Sequence, residues 1–338
     1  MKNYMPKGRL TAEQYINGIL KGDRVLLSRA ITIIESNLKS DKLLAKEIIQ
    51  TILPKTGNSI RIGITGVPGV GKSTFIEAFG KHIINKGKKV AILSIDPTSQ
   101  RSKGSILGDK TRMEELANLE DAYIRPSASG DTLGGVANKT GETVLLCEAA
   151  GYDVILIETV GVGQSETAVH GMTDFFLLLM LSGAGDELQG IKKGIMEMAD
   201  MVVINKADGD NIRKSELAKR QYQNALHIFP PSESGWSPVV STASSIENTG
   251  IEIVWDEILK FKKLVTRNGY FHKNRNHQQI KWMYNNINEA LKNLFYGSKS
   301  ITNQLKVLEN EVIEAKISPV KAAQQIVEVF KTSFENIP

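Results

Sequence analysis

Ile60-Arg61-Ile62-Gly63-Ile64-Thr65 runs directly into Gly66-Val67-Pro68-Gly69-Val70-Gly71-Lys72-Ser73-Thr74, and this junction decides the fold. The first stretch reads as a buried strand, the second matches G-x-x-x-x-G-K-[ST], and a helical pattern follows at once. Glycines let the backbone wrap a phosphate with its N–H groups, and the positive end of the next helix dipole faces the same anion. Gly66 to Thr74 is therefore expected to bind nucleotide, with Lys72 bridging the β- and γ-phosphates and Ser73 offering its hydroxyl oxygen to Mg2+.

Outward from this junction, residues 60 to 243 alternate short apolar runs with helical patterns. Strands are expected at Ile60–Thr65, Lys89–Ile95, Ala122–Arg125, Asp153–Glu158, Phe175–Leu181, Met201–Asn205 and Pro238–Ser241. Their near-continuous hydrophobicity implies burial on both faces, which predicts an α/β fold with a mainly parallel sheet flanked by helices. Residues 11 to 53 form a helical preface, with a capping box at Thr11 and Gln14 and apolar positions at Leu20, Leu26, Ile31, Ile34 and Leu38. After residue 244 the strand signal ends, and Ile246–Arg267, Asn274–Phe295, Thr302–Lys316 and Pro319–Phe334 read as helices. The expected organisation is an N-terminal helical region (1–55), a nucleotide-binding core (56–265) and a C-terminal helical extension (266–338). Tyr284, Ile287, Leu291 and Leu294 make an apolar stripe suited equally to packing on the core and to a dimer surface.

Composition narrows the classes. The 338 residues hold 41% hydrophobic and 23% charged residues, ordinary for a chain that buries a core. The net charge of +5 is spread without a polybasic block, which argues against a nucleic-acid platform. The start of the chain lacks the apolar stretch of a signal peptide and no later run is long enough to span a bilayer, so a cytoplasmic protein without a membrane segment is expected. The single cysteine, Cys147, falls in a helical pattern and reads as core filler.

Asn205-Lys206-Ala207-Asp208 closes the Met201–Ile204 run with the spacing N-K-x-D. A carboxylate at Asp208 accepts hydrogen bonds from guanine N1–H and the 2-amino group, whereas adenine leaves it unpaired at a cost of roughly 1–3 kcal/mol. Asn205 is expected to hold the loop and base edge, and the stem of Lys206 to cover the base. Ser241-Thr242-Ala243, after the next run, stands where a weaker backbone contact to guanine is expected. Three acids are candidates for the metal region: Asp96, Asp109 and Glu158, the last closing the Val154–Ile157 run. Glu158-Thr159-Val160-Gly161 puts a carboxylate near the metal and a flexible glycine near the γ-phosphate. Mg2+ keeps several waters, so the three acids are not all expected to touch it together.

Asp96-Pro97-Thr98-Ser99, Gly104-Ser105-Ile106-Leu107-Gly108-Asp109-Lys110-Thr111-Arg112-Met113 and Glu158-Thr159-Val160-Gly161-Val162-Gly163-Gln164-Ser165-Glu166 follow one another in a specific order. In these segments the chain resembles the MeaB/ArgK-type GTPases, the G-protein chaperones of methylmalonyl-CoA mutase, over most of residues 25 to 330. The resemblance implies a P-loop NTPase fold of the SIMIBI class, a homodimer joined through the C-terminal extension, and GTP hydrolysis that gates adenosylcobalamin delivery to the mutase and protects it. Adenosylcobalamin would belong to the partner. The resemblance assigns Lys72 and Ser73 to phosphate and metal, and Asp96, Asp109 and Glu158 to the metal region, with Lys72, Asp96 and Glu158 serving hydrolysis. It assigns Asn205 and Asp208 to guanine, and a partner-signalling switch to Gly185–Gly194, where Asp186, Gln189 and Lys192 stand out.

The water-positioning residue is left open, Gln164 being a candidate that lies three residues past Gly161. A nickel-insertion GTPase of the same broad fold would show clustered His or Cys, but the five histidines (His82, His170, His227, His272, His277) form no such motif. A small-molecule kinase has little reason to carry N-K-x-D, and nothing in these residues supplies the acceptor-protein site that a transport-associated kinase needs. A structural dimer with a vestigial site would bind GTP without hydrolysing it.

Overall fold

A computed structural model describes residues 9–95, 113–125, 133–159, 165–183, 193–230 and 232–335. Among them the chain runs α1 (Ala12–Leu20), α2 (Arg24–Glu35), α3 (Lys39–Ile52), β1 (Ile60–Gly66), α4 (Lys72–Asn85), β2 (Val90–Ile95), α5 (Glu114–Ala117), β3 (Ala122–Arg125), α6 (Leu133–Ala149) and β4 (Val154–Thr159). It continues through α7 (Ser165–His170), β5 (Phe175–Leu181), α8 (Lys193–Met198), β6 (Met201–Asn205), α9 (Ile212–Leu226), β7 (Val239–Thr242), α10 (Ile251–Arg267), α11 (Tyr270–Tyr296), α12 (Lys299–Ile313) and α13 (Pro319–Glu335).

The strands form one 7-stranded sheet in the order β3-β2-β4-β1-β5-β6-β7, and every pairing is parallel. The chain first builds outward from β1 to β2 and β3, returns to β4 beside β1, and then crosses to β5, β6 and β7. Reversal of direction around β1 places its C-terminal end at a topological switch point, where open parallel sheets bind their ligands.

Alternate residues of each strand serve different layers. Ile62, Ile64, Leu156, Leu177 and Val203 pack with Phe75 and Phe79 of α4 and with Trp255, Ile258 and Phe261 of α10. Ala91, Leu93, Ile155, Ile157 and Phe176 face the other way, onto Tyr15, Ile19, Leu27, Ile31 and Ile48 of the first three helices and Leu146 and Cys147 of α6. Helices on both faces explain why the strands carry no polar alternation. Cys147 is buried, and burial pushes its thiol pKa up, which suits core filler rather than reactivity.

Thr11 and Gln14 form the expected capping box on α1. Leu20 (43% exposed) and Leu38 (55%) lie outside the core, unlike Ile31 and Ile34, because one ends α1 and the other precedes the first residue of α3. The helix expected from Ile246 begins at Ile251 instead. Gly250 adopts φ +75° there, and reciprocal backbone hydrogen bonds between Ser244 and Thr249 close the intervening residues into a turn.

Contacts divide the chain into residues 1–278 and 279–338. The first unit holds the sheet together with the N-terminal helices. The second unit has its own small core of Ile301, Leu308, Ala322 and Ile326. Tyr284, Ile287, Leu291 and Leu294 are exposed.

Buried charge secures the N-terminal ends of the central strands. Arg275 donates from Nε to Asp174 Oδ1 at 2.8 Å and from Nη2 to Oδ2 at 2.7 Å. It also donates to the carbonyls of Gly57 and Ser59, each at 2.7 Å. Glu148 accepts from Arg61 Nε and Nη2, both at 2.9 Å, and from Ser59 Oγ at 2.6 Å. Burial raises the Glu148 pKa, but the Arg61 hydrogen bonds and charge, with Ser59 and Arg275, outweigh it and hold the carboxyl below its ordinary value.

Candidate nucleotide site

The phosphate-loop sequence lies at the C-terminal end of β1, which closes at Gly66, while α4 begins at Lys72. Gly69 and Gly71 take φ of +77° and +90°. Such left-handed turns favour glycine, and at Gly71 an added Cβ would sit 3.1 Å from Asn205 Nδ2. The close approach joins the phosphate loop to the N-K-x-D loop. Lys72 Nζ donates to Gly66 O at 3.0 Å and Val67 O at 3.4 Å, so the ammonium lies folded over the loop. Burial pulls the Lys72 pKa down, and the charges of Glu158 and Glu166 act against that fall.

Asn205 is 1% exposed. Its Nδ2 donates to Val70 O at 2.9 Å, and its Oδ1 accepts from Ser245 Oγ at 3.1 Å. The amide is thus spent on bracing two loops. Lys206 adopts φ +58° and reaches Gly69 O with Nζ at 2.9 Å, which lays its aliphatic stem along the cleft between the loops. Asp208 Oδ2 accepts from Ser244 Oγ at 2.6 Å. This bond orients the carboxylate and leaves it further acceptor capacity for a base that offers two donors.

Ser241 and Thr242 belong to β7, with Thr242 Oγ1 donating to Glu216 at 3.2 Å. Ala243 gives its N–H to Ile204 O at 2.9 Å and accepts from Ala207 N at 3.0 Å. Through these two backbone hydrogen bonds the segment braces the N-K-x-D loop. Sequence reasoning stopped one residue short of Ser244 and Ser245, which make the side-chain contacts. It also passed over Asn211, whose Nδ2 donates to Lys206 O at 2.6 Å and whose Oδ1 accepts from Ser182 Oγ at 2.6 Å. No motif spacing marks that residue.

Glu158 is buried at the end of β4, and its Oε1 accepts from Ser73 Oγ at 3.3 Å. Two hard oxygen donors from different elements meet here, a set that fits Mg2+, which takes few protein ligands and keeps water on the rest. Asp96, Asp109, Gln164, Asp186, Gln189 and Lys192 lie outside the described residues. Among the described residues no group of three or more His, Cys, Asp or Glu side chains is arranged to hold a metal ion, and no helix is long and apolar enough to cross a membrane.

Residues 27–300 match the family described as methylmalonyl-CoA mutase-associated GTPase MeaB. A putative GTPase of Caulobacter vibrioides is 48% identical over 312 residues, covering 92% of this chain and 95% of its own. GTPase ArgK of Escherichia coli is 42% identical, over 96% of this chain and 98% of its own. The mitochondrial methylmalonic aciduria type A homolog of Mus musculus is also 42% identical, over 95% and 80% respectively. Among solved structures, one titled as a LAO/AO transport system kinase superposes with a TM-score of 0.76 at 36% identity, covering 97% of this chain and 99% of that one. With its phosphate loop, buried Glu158 and braced N-K-x-D loop on a parallel sheet, the chain belongs to the MeaB family of P-loop GTPases.

Proposed function

We propose that GTP binding and hydrolysis by this chain gate the loading of adenosylcobalamin into methylmalonyl-CoA mutase, or a related acyl-CoA mutase, and protect that enzyme. The observation that carries the reading is the family match over residues 27–300, whose description names a mutase-associated GTPase. We assign the cobalamin to the partner, place the protein in the cytoplasm, and take it to act as a homodimer.

The geometry of the phosphate loop, of the N-K-x-D loop and of Ser73 with Glu158 supports part of the assignment that follows, and the family resemblance supplies the rest. Lys72 exchanges two neutral carbonyl acceptors for anionic phosphoryl oxygens of GTP, so that both partners of the contact carry charge. The amides from Gly66 to Thr74 enclose the β-phosphate. Ser73 and Glu158 would hold Mg2+, with Asp96 and Asp109 as further candidates not all of which touch it at once, and the ion would supply neutralisation of charge on the transferring phosphoryl group. Asp208 reads guanine, Asn205 and Lys206 keep the base cleft in place, and Ser241, Thr242 and Ala243 back it. Asp186, Gln189 and Lys192 signal the nucleotide state to the mutase.

GTP hydrolysis is measured with Mg2+, alone and with an adenosylcobalamin-dependent acyl-CoA mutase from the same source, with Lys72→Ala as the blank. A complex and a faster rate are expected. Absence of both would overturn the partner assignment and reopen the transport-kinase and metal-delivery readings.

A further inference from the structure

Three buried carboxylates among the described residues are heavily bonded. Asp41 receives two hydrogen bonds from Arg9, Asp174 receives Arg275 and the Arg61 amide, and Glu148 receives Arg61, Ser59 and the Gly57 amide. Glu166 is different. Its side chain is 4% exposed, yet its Oε2 is buried and accepts no hydrogen bond among the described residues. Leaving such a group unmet costs roughly 1–3 kcal/mol or more, and native proteins retain such costs mostly where a ligand or water will meet the group.

Its placement points to the nucleotide. Glu166 stands in the first turn of α7, the helix that follows Glu158 in the chain and packs on β4 and β1. Val169, one turn on, is fully buried, and it packs so closely on Gly63 of β1 that an added Cβ there would come within 2.9 Å of it. His170 meets the Phe176 ring edge-on with centroids 5.4 Å apart. The far end of the helix is thereby pinned to the sheet. Glu166 acts electrostatically on the Lys72 ammonium together with Glu158. Glu158 is engaged by Ser73, and Glu166 Oε2 is left facing no donor.

A carboxylate and a triphosphate both only accept hydrogen bonds. A molecule placed between them must bring two hydrogens, and water does so while keeping a lone pair free. We propose that Glu166 is a catalytic residue of GTP hydrolysis, its Oε2 orienting the water that attacks the γ-phosphate. The water oxygen forms the new bond to phosphorus, and the bond from phosphorus to the β–γ bridging oxygen breaks with its electron pair passing to GDP. The water proton leaves through the Glu166 carboxylate to solvent. Lys72 offsets the charge of Glu166 near the phosphates. The role needs no partner protein, so its failure leaves the mutase assignment untouched.

The test measures single-turnover GTP hydrolysis by the purified full chain with Mg2+, together with calorimetric binding of a non-hydrolysable GTP analogue. Wild type, Glu166→Gln and Glu166→Asp are compared. Loss of a positioned general base lowers rates by ~10²-fold or more, and Glu166→Gln is expected to fall by that amount. Analogue binding should hold or tighten, because one negative charge facing the triphosphate has gone. Glu166→Asp keeps the acceptor one methylene further back and should fall between, with binding again retained; it decides the matter if the glutamine variant does not fold. An unchanged rate in either folded variant overturns the proposal. A rate that falls in step with analogue affinity and unfolding temperature also overturns it, and makes Glu166 a structural counter-ion of Lys72.

Discussion

The two ends of the central strands handle buried charge in opposite ways. At the N-terminal end, Arg275, Asp174, Arg61 and Glu148 are cross-bonded at 2.6 to 2.9 Å together with the Ser59 hydroxyl and two carbonyls. At the C-terminal end, among the described residues, Lys72 finds only carbonyl acceptors, Asp208 holds a single serine hydroxyl, and one oxygen of Glu166 goes unmet. Charges satisfied within the fold hold it together, whereas charges supplied with neutral or missing partners retain capacity for an incoming anion, cation and water.

Breaking the satisfied end should give the largest effect. Arg275→Met strands Asp174 and is expected to destabilise the chain by about 3–5 kcal/mol in denaturant unfolding, while the rate per folded molecule stays close to that of wild type. At the other end the balance reverses. Lys72→Ala should reduce hydrolysis by ~10²–10³-fold, the cost of removing one donor to a developing charge, with an unfolding temperature near or above that of wild type, since a partly buried ammonium is gone.

Asp208→Ala sharpens the comparison by testing base recognition alone. Preference for GTP over ATP in competitive binding should shrink by about 1–3 kcal/mol, or ~10–10²-fold, as the paired carboxylate is lost. An equal loss for both nucleotides would place the effect in the loop rather than in the base contact.

The smallest effect concerns pH. Burial pushes the Asp200 carboxyl up to about 7, against the hydrogen bond it accepts from the Phe176 amide. The unfolded chain ionises near pH 4 and the folded one near 7, so this residue's contribution is full below pH 4 and is lost as pH rises between those values. Asp200→Asn should therefore raise stability at pH 8, on the order of 1 kcal/mol, and much less at pH 5. Glu148 has the opposite sign: its folded pKa is depressed, so its contribution is present above about pH 4 and is lost as pH falls through the lower folded value. Thermal unfolding across pH 3 to 8 separates the two.

Much of this was legible in the chain because it is local. Ala122–Arg125, Phe175–Leu181 and Met201–Asn205 form strands at the positions their apolar runs predicted. Gly71 and Lys72 are placed by a spacing that the phosphate loop itself requires. Illegible features depend on partners far apart in sequence. Ile246 belongs to no helix, since Ser244 meets Thr249 across a turn, and the Ala243 N–H meets the Ile204 carbonyl, a pairing no local spacing marks.

By itself, the sequence determined the parallel sheet, the phosphate loop and the N-K-x-D loop, because hydrophobic period and glycine spacing act within a few residues of chain. Only the tertiary structure decided that Arg275 would neutralise Asp174 across 101 residues, that Asn205 would brace Val70 across 135, and that one oxygen of Glu166 would meet no donor among the described residues. Hydrogen bonding and desolvation are settled by which groups meet in space, and no local spacing encodes that meeting.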